Sequence, residues 1–211
     1  MCPGTGATGK PPTFTEVARR AQIIEAAIET IAEVGFAKAS LARIGQRVGV
    51  SKGLIGYHFG GKDDLIKQVL IRVVEAGRAY IFPRVFAEST GPARLRAYIE
   101  SNLAFMSAHR SYMVAVVEIL RHGAFKTDSG LRVDGRDIDV AARLLHEELA
   151  RLQGQGELRS DFDPGAMAVA IRAAIDVVPH RIILDPQFDI ENYSREVALI
   201  FDRATRPSDT N

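Results

Sequence analysis

The sequence predicts an all-α protein with an N-terminal three-helix helix-turn-helix domain and a larger helical body. Two short helical segments joined by a tight turn occupy Ser40 to Leu65. Beyond them, apolar residues recur at steps of three and four in successive segments. The 211 residues, 46% of them apolar, suffice for two cores. We therefore expect a mobile tail over residues 1–14, a helix-turn-helix domain over 15–61 and a body over 62–211.

Charge and cysteine content narrow the function class. The net charge is +1, but residues 1–61 carry seven basic and four acidic side chains, which favours a polyanionic partner for that part. Cys2 is the only cysteine, so an intramolecular disulfide is excluded. Residues 1–13 lack the apolar region of an export signal, and no run of eighteen residues is free of charge. We expect a cytoplasmic protein without a membrane segment or a cofactor.

The first helix is predicted over Thr15–Val34 and ends at Gly35. Its apolar stripe is formed by Val17, Ala21, Ile24, Ile28 and Ile31. This stripe and Phe36 should pack on the apolar side chains of the next two helices, which are Leu41, Ile44, Val48, Ile55 and Phe59.

The second and third helices each begin at a serine. Ser40 and Ser51 can accept hydrogen bonds from free amides at the helix starts, and Gly49 ends the first of the two helices. Lys52 and Gly53 then open the third helix. In helix-turn-helix motifs the N-terminal end of the second helix reaches base edges, while surrounding amides hold phosphates.

The run VGVSKGLIGYHFGGKDDL resembles the recognition segment of the TetR family of bacterial one-component transcriptional regulators. The upstream run IIEAAIETIAEVGFAKASLARIGQRVGVS is similar to the first two helices of that family, so the resemblance covers Arg20–Leu70. The variant GLIxYHFGxKDDL resembles members that include choline-responsive repressors. One departure is Gly56, where the family usually has a polar side chain that touches DNA, so base preference cannot be transferred.

Chemistry and this resemblance together give the candidate contacts to double-stranded operator DNA. Ser51 suits a phosphate oxygen, Lys52 suits a phosphate or a guanine edge, and Tyr57 and His58 can donate to phosphates. The alternatives are that Ser51 only caps, that Lys52 is a solvated charge, and that both rings only pack. Lys62 opens the next helix, where its ammonium should face the DNA backbone. The full set is Ser40, Arg43, Ser51, Lys52, Gly53, Tyr57, His58 and Lys62.

A fourth helix is predicted from Lys62 to about Tyr80, where Pro83 should prevent its continuation. Its length of about 28 Å connects the DNA-binding head to the body, so we interpret it as the transmission element. A mobile connection is expected over Gly123–Gly135. Five body helices are predicted at Pro92–Ala108, Ser111–His122, Arg136–Gln153, Pro164 to at least Val178, and Ile190–Ala204.

The resemblance implies a cavity for an unidentified small-molecule effector in the body. Aromatic and methionine side chains form adaptable cavity walls, although each candidate could equally be ordinary core. Glu118 and His146 are polar groups in apolar runs, and the Glu118 carboxylate would favour a cationic ligand. The apolar candidates are Phe82, Phe86, Phe105, Met106, Met113, Val116 and Phe125.

The resemblance also implies a homodimer formed by the last two long helices, here MAVAIRAAIDVV and YSREVALIFDRA. Arg172, Asp176 and His180 lie four residues apart and share one helix face, so they can pair in sequence. Their burial would place them in a pocket or at the dimer interface, and for Arg172 and Asp176 we favour the interface. A monomer that buries these faces internally is the alternative. The candidate interface residues are Met167, Ile171, Arg172, Asp176, Val197 and Phe201.

These expectations favour a dimeric DNA-binding transcriptional regulator, a repressor that a small molecule releases from its operator. The alternative is a ligand-independent DNA-binding factor that recruits a partner protein through its C-terminal helices. An enzyme is disfavoured because no catalytic triad, metal-ligand spacing, HxxxH pair or HExxH run appears among the five histidines. We therefore assign no catalytic residue and no metal ligand.

Overall fold

A computed structural model describes residues 13–122 and 135–207 of the chain. The described residues form ten helices and no strand, which confirms the predicted all-α class. The predicted tail up to residue 12 and the predicted connection between residues 123 and 134, with Phe125, lie outside the described residues. The helices are α1 (Phe14–Val34), α2 (Leu41–Val48), α3 (Lys52–His58), α4 (Lys62–Phe86), α5 (Gly91–Ala108), α6 (Arg110–Arg121), α7 (Gly135–Gly154), α8 (Pro164–Asp176), α9 (Val178–Leu184) and α10 (Ile190–Thr205).

The helix-turn-helix is defined by the caps that the sequence predicts. The Ser40 side chain accepts from the Arg43 amide at 3.2 Å, and the Ser51 side chain accepts from the Leu54 amide at 3.1 Å. Gly49 follows α2 with φ of 68°, a left-handed conformation that glycine adopts without a Cβ clash. The turn between α2 and α3 is therefore only three residues long, since it runs from Gly49 to Ser51.

A close approach at Gly45 keeps this turn tight. A Cβ atom at Gly45 would lie 2.5 Å from the Val50 carbonyl oxygen, which belongs to the backbone and cannot rotate away. We expect Gly45→Ala to lower the free energy of unfolding by about 1 to 3 kcal/mol, as overpacking does elsewhere. Urea unfolding followed by circular dichroism measures the change.

Gly56 in α3 provides the matched control, because a Cβ there would meet nothing within 4 Å. Since alanine favours a helix more than glycine does, Gly56→Ala should raise stability by up to about 1 kcal/mol. A Gly45→Ala variant as stable as the unaltered protein would show that the α2–α3 turn has room to relax.

The end of α4 differs from the prediction, because Pro83 lies inside the helix instead of beyond its end. Proline removes one backbone donor and crowds the carbonyl four residues earlier, but here only three further residues of helix follow it. Arg84 supports that last turn: its guanidinium donates to the Tyr80 carbonyl at 2.5 Å and lies 3.7 Å from the centre of the Tyr80 ring. As a result α4 extends to Phe86, one to two turns beyond Tyr80.

The buried face of α1 also differs from the predicted stripe. Val17 is 52% exposed and Ala21 is exposed, so the predicted stripe is not covered at the start of the helix. Burial begins at Ile23. The buried residues of α1 are Ile23, Ala26, Ala27, Ile28, Thr30 and Ile31.

The body is assembled from crossed helix pairs. α5 packs against α4 and α10, α7 against α8, and α6 against α1 and α9. α5 and α6 meet at His109 with a bend of 89°. No single helix in the described part of the chain is long and apolar enough to cross a membrane, and only the bent pair α5 and α6 passes by length and composition when joined.

A second difference concerns the predicted helix from Pro164 to at least Val178, which the structure divides into α8 and α9 at Val177. Pro179 explains the break, since its nitrogen cannot donate to the Ile175 carbonyl. The buried apolar side chains nevertheless form one continuous cluster that reaches from Ile23 on α1 to Ala198 on α10. The predicted boundary between the helix-turn-helix domain and the body, at residues 61 and 62, therefore stays a prediction.

Candidate nucleic-acid interface and ligand cavity

One side of the third helix packs against the protein and the opposite side is exposed. Ile55 and Phe59 are buried at 0% and 1% exposure, and they anchor α3 to α1 and α2. Lys52 and Gly53 are exposed, and Tyr57 is 75% exposed. The exposed side of α3 thus presents an ammonium at the helix N-terminus and a phenol hydroxyl near its C-terminus, and both groups can donate to base edges and phosphates.

His58 has a different environment from Tyr57. Its side chain is half-buried, its ring stands edge-on to the Tyr57 ring at 5.4 Å, and its carbonyl accepts a hydrogen bond from Arg20. The Arg20 guanidinium also lies 4.4 Å from the centre of the Phe59 ring. Arg20 therefore ties α1 to the end of α3, a role that no local spacing indicates because the partners are 38 residues apart.

The two candidate DNA contacts at α2, Ser40 and Arg43, have different environments. The Ser40 hydroxyl is engaged as the cap described above, and Arg43 is exposed on the outer side of α2. The neighbouring Arg47 forms an exposed ion pair with Glu33 of α1. Among the described arginines of α2, Arg43 is thus the one without a carboxylate partner, and it remains the candidate for a phosphate.

Lys62 does not point outward as the sequence led us to expect. Its ammonium donates to the Phe36 carbonyl at 3.0 Å and lies 4.3 Å from the centre of the Phe36 ring. Burial lowers the pKa of Lys62 from its usual value. The side chain therefore holds the turn between α1 and α2, and its predicted phosphate contact stays a prediction.

Glu118 of α6 holds the other side of the same turn. Its Oε2 accepts from the Phe36 amide at 3.3 Å, and the His122 ring lies 5.4 Å from the Phe36 ring. We call the contacts of Phe36 with Lys62, Glu118 and His122 the Phe36 clasp. The clasp joins the helix-turn-helix to both α4 and α6, so the carboxylate that we considered for a cationic ligand has a structural partner.

A second connection between head and body is centred on Glu25 of α1. The Tyr112 hydroxyl of α6 lies 2.7 and 2.9 Å from the two Glu25 carboxylate oxygens, and Arg72 of α4 donates to Glu25 at 2.7 Å. Burial, with the Glu25 carboxylate next in importance, raises the pKa of Tyr112 to about 12. Three helices therefore meet at one carboxylate.

This cluster predicts a pH dependence of stability. A raised pKa means that the folded state holds the Tyr112 proton more tightly than the unfolded state, so the contribution is complete below about pH 10 and is lost as pH rises through about 12. Between these values the unaltered protein should lose stability faster than Tyr112→Phe in urea unfolding. Tyr57→Phe, which changes an exposed ring, should follow the unaltered protein, and equal slopes for all three would contradict the assignment.

A cavity of about 840 Å³ lies in the body between α4, α5, α7 and α8. Its volume is in the range of sites for drug-sized molecules. Ten of its lining residues belong to α4. The lining is formed by Leu70, Ile71, Val74, Glu75, Gly77, Arg78, Ile81, Phe82, Val85 and Phe86 of α4, Arg94, Leu95, Tyr98 and Asn102 of α5, Ala141, Leu144, Leu145, Glu148, Leu149, Arg151 and Leu152 of α7, and Arg172 of α8.

Most of the effector candidates from the sequence do not line this cavity. Phe82 and Phe86 do, since the extension of α4 past Pro83 brings both into its wall. Phe105, Met106 and Met113 are buried in the core and Val116 packs against it, because α5 and α6 turn these side chains toward other helices. His146 is exposed beside Gly165. Phe105, Met106, Met113, Val116 and His146 therefore lie outside the cavity, as Glu118 does.

The candidate dimer residues are likewise distributed differently from the prediction. Ile171 and Val197 are buried within the protomer at 0% and 5% exposure, and Met167 and Phe201 pack partly against the core. Arg172 pairs with Asp176 as predicted, but the pair is internal: Arg172 also donates to the Tyr98 hydroxyl at 2.9 Å and lines the cavity. Burial raises the pKa of Asp176 despite the nearby guanidinium.

Across residues 13–122 and 135–207, no group of three or more His, Cys, Asp or Glu side chains is arranged to hold a metal ion. The capped helix-turn-helix, with an exposed third helix that begins at Lys52, is instead the arrangement of a DNA-binding protein.

Comparison with known proteins agrees with this class. Residues 23–69 match the family model of bacterial regulatory proteins of the tetR family. The HTH-type transcriptional regulator BetI of Cronobacter sakazakii is 30% identical over 181 residues, which cover 82% of this chain and 87% of that protein. The chain therefore belongs to the TetR family of bacterial transcriptional regulators, which are DNA-binding proteins and not enzymes.

Two further similarities show how far the likeness extends. The HTH-type transcriptional regulator BetI 1 of Chromohalobacter salexigens is 36% identical over 96 residues, which span 45% of this chain and only 48% of that protein. A solved structure of a putative transcriptional regulator from Saccharomonospora viridis in complex with choline has a TM-score of 0.74 and 20% identity, and covers 90% of this chain and 98% of its own. At that identity it shows the shared fold.

Proposed function

We propose that this protein is a homodimeric repressor that a small molecule, bound in the body cavity, releases from its operator. One observation carries the proposal: α4 begins directly after the exposed recognition helix and supplies ten residues of the cavity wall. A ligand that changes the position of α4 therefore changes the position of the head. A factor without an effector would have no need of a cavity against this helix.

The energetics follow from linkage. A ligand that binds better to the geometry unsuited to DNA must weaken DNA binding by the same factor, and such couplings are typically about 1 to 3 kcal/mol. The Phe36 clasp and the Glu25 cluster support this coupling, because they make α1 and the α1–α2 turn follow both α4 and α6. Movement of α4 is thereby passed to the whole helix-turn-helix.

At the DNA we propose contacts from the exposed groups of each head. Lys52, Tyr57 and Arg43 supply the charged and polar side chains, while Ser40 and Ser51 present their helix-start amides to phosphates. Gly53 allows the backbone of α3 to approach the duplex closely, since it carries no side chain. His58 and Lys62 support these groups from the side of the protein.

A homodimer is supported by apolar side chains left exposed on the C-terminal helices. Val169 on α8 is 62% exposed, Leu184 at the end of α9 is 79% exposed and Ile200 on α10 is 59% exposed. α8 and α10 are neighbours, because the Tyr193 hydroxyl donates to the Ala174 carbonyl at 2.8 Å. We therefore propose these exposed residues for the interface in place of the buried Ile171 and Val197.

The dimer proposal predicts a specific loss of association. Val169→Asp and Ile200→Asp should each weaken dimerisation by about a hundredfold or more, because a twofold interface would bury two unpaired carboxylates. Sedimentation equilibrium measures the dissociation constant. Val17→Asp changes an equally exposed valine on α1 and should leave it unchanged. A dimer that survives both substitutions would place the interface elsewhere.

The whole function can be tested without knowing the regulated genes. Selection from random duplexes with the purified protein should enrich a twofold symmetric sequence, and binding to it should weaken steeply as salt rises. A thermal-shift panel of metabolites and drugs then identifies ligands, which stabilise the fold they bind. A ligand that raises the unfolding temperature without lowering operator affinity would contradict release as the mechanism. Failure to enrich any sequence would contradict the DNA-binding role itself.

A further inference from the structure

Positive side chains outnumber negative side chains around the cavity. Six described lining residues carry charged side chains, and four of them are arginines. They are Arg78, Arg94, Arg151, Arg172, Glu75 and Glu148. A lining built to attract a cation would show the reverse balance, with carboxylates in excess.

Ion pairs neutralise part of this set. Arg151 pairs with Glu148 at 2.6 Å, and Arg172 pairs with Asp176. Two guanidinium groups remain, on Arg78 and Arg94, against the single carboxylate of Glu75. No carboxylate among the described residues lies at ion-pair distance from Arg78 or Arg94, although the Arg94 charge contributes to the lowered pKa of Glu148. The described part of the lining therefore keeps a net positive charge.

Arg94 is also held in place for a ligand. Its Nε donates to the Glu88 carbonyl at 2.9 Å, which fixes the guanidinium plane and leaves the two terminal amino groups for other acceptors. This fork geometry matches a carboxylate or a phosphate. The bond between Glu148 and Arg151 lowers the pKa of the Glu148 carboxyl, which keeps that pair ionised.

Hydrogen-bond donors continue along the same face of α5. Arg94, Tyr98 and Asn102 are spaced four apart and all line the cavity. The Tyr98 hydroxyl accepts from Arg172 at 2.9 Å, so its own proton remains for a ligand oxygen. The Asn102 amide already donates to the Tyr98 carbonyl at 2.8 Å, so the donors that this side of the cavity offers to an oxygen-rich head group are the Arg94 guanidinium and the Tyr98 hydroxyl.

The opposite walls are apolar. α4 contributes aliphatic side chains and the Phe82 and Phe86 rings, which lie 5.8 Å apart, and α7 contributes leucines. The volume of about 840 Å³ accommodates a drug-sized molecule whose tail covers these walls. A small polar molecule would leave most of this surface uncovered.

We propose that the cavity binds an amphipathic anion, a molecule with a carboxylate or similar oxyanion head and a long apolar tail, with the head held by Arg94 and Arg78. This rests on the proposal that the cavity is the effector site. It also separates this chain from its structural neighbour in complex with choline, because a quaternary ammonium would meet the net positive charge of the lining.

Three probes with one alkyl tail and different heads test the proposal: decanoate and decyltrimethylammonium, each below its critical micelle concentration, and decanol below its solubility limit. Isothermal titration calorimetry on the full-length protein should give the tightest binding for decanoate. Arg94→Gln should weaken decanoate by about tenfold or more, as loss of a charged hydrogen bond does, and should leave decanol nearly unchanged. The matched control is Arg96→Gln on the same helix, where the arginine pairs with Glu100 at 2.8 Å outside the cavity.

The outcomes separate this inference from the proposed function. The anionic class would be overturned if decanoate and decanol bound equally well, or if decyltrimethylammonium or choline bound more tightly than decanoate. In either case, a fall in operator affinity when the molecule binds would still support release by a ligand. Binding of none of the probes would also overturn the inference. If decanoate binds through Arg94 but operator affinity is unchanged, the ligand class stands and release by this cavity fails.

Discussion

Phe59→Ala is expected to lower the free energy of unfolding by about 3 to 5 kcal/mol, the range for a phenylalanine removed from a packed core. The Phe59 ring is 1% exposed and belongs to the buried apolar cluster where α3 meets α1 and α2. It also lies beneath the Arg20 guanidinium, so its loss removes the surface on which that arginine rests. Because α3 has only seven residues, it cannot persist without this anchor.

Chemical unfolding and operator binding should therefore both respond to Phe59→Ala. Phe14→Ala is the matched control, since the same atoms are removed from a ring that is 90% exposed, and we expect a change within about 0.5 kcal/mol. If the two variants were equally stable, the small core of the head would not depend on Phe59, and the described packing of α3 would be incorrect.

Lys52→Ala and Tyr57→Ala are expected to weaken operator binding by about 1 to 3 kcal/mol per lost contact. Each substitution acts in both heads of a dimer, so the total loss should reach about 2 to 6 kcal/mol. Both side chains are exposed and make no contribution to the buried core. Stability and helix content should accordingly stay unchanged, and fluorescence anisotropy with a selected operator fragment measures the affinity.

Salt dependence distinguishes the roles of Lys52. If its ammonium holds a phosphate, Lys52→Ala lowers the salt slope by about one for each head and weakens binding equally on all sequences. If it reads a guanine edge, discrimination at one base pair is lost instead. Arg96→Ala removes a positive charge from the body and should change neither quantity. Unchanged affinity in both the Lys52 and Tyr57 variants would remove the recognition role from α3.

The head was predictable from sequence because its signals are local. The serines that cap α2 and α3 and the glycine that separates them act within four residues, so spacing alone locates the turn. The position of Lys62 could not be predicted in this way. Its ammonium reaches the carbonyl of Phe36, a residue 26 positions earlier, and only the packing of α4 on α1 brings the two together.

The body shows the limits of local rules in another way. Pro83 was expected to end α4, but the helix continues because the cost of a missing donor is small near a helix end and Arg84 contributes a further contact. That extension brings Phe82 and Phe86 to the cavity. Composition indicated that aromatic side chains form the cavity wall. It could not tell which apolar residues line the cavity and which belong to the core, because Phe105 and Met113 are as apolar as Phe82 and Phe86 but are buried elsewhere.

The Phe36 clasp restricts how the head can respond. The amide and the carbonyl of Phe36 are held by side chains from two different helices, Glu118 of α6 and Lys62 of α4. Hydrogen bonds weaken steeply once they lengthen beyond their normal range, so sliding of α4 past α6 by even about 1 Å breaks one of them. The head is therefore expected to switch between two discrete orientations instead of moving through a continuous range.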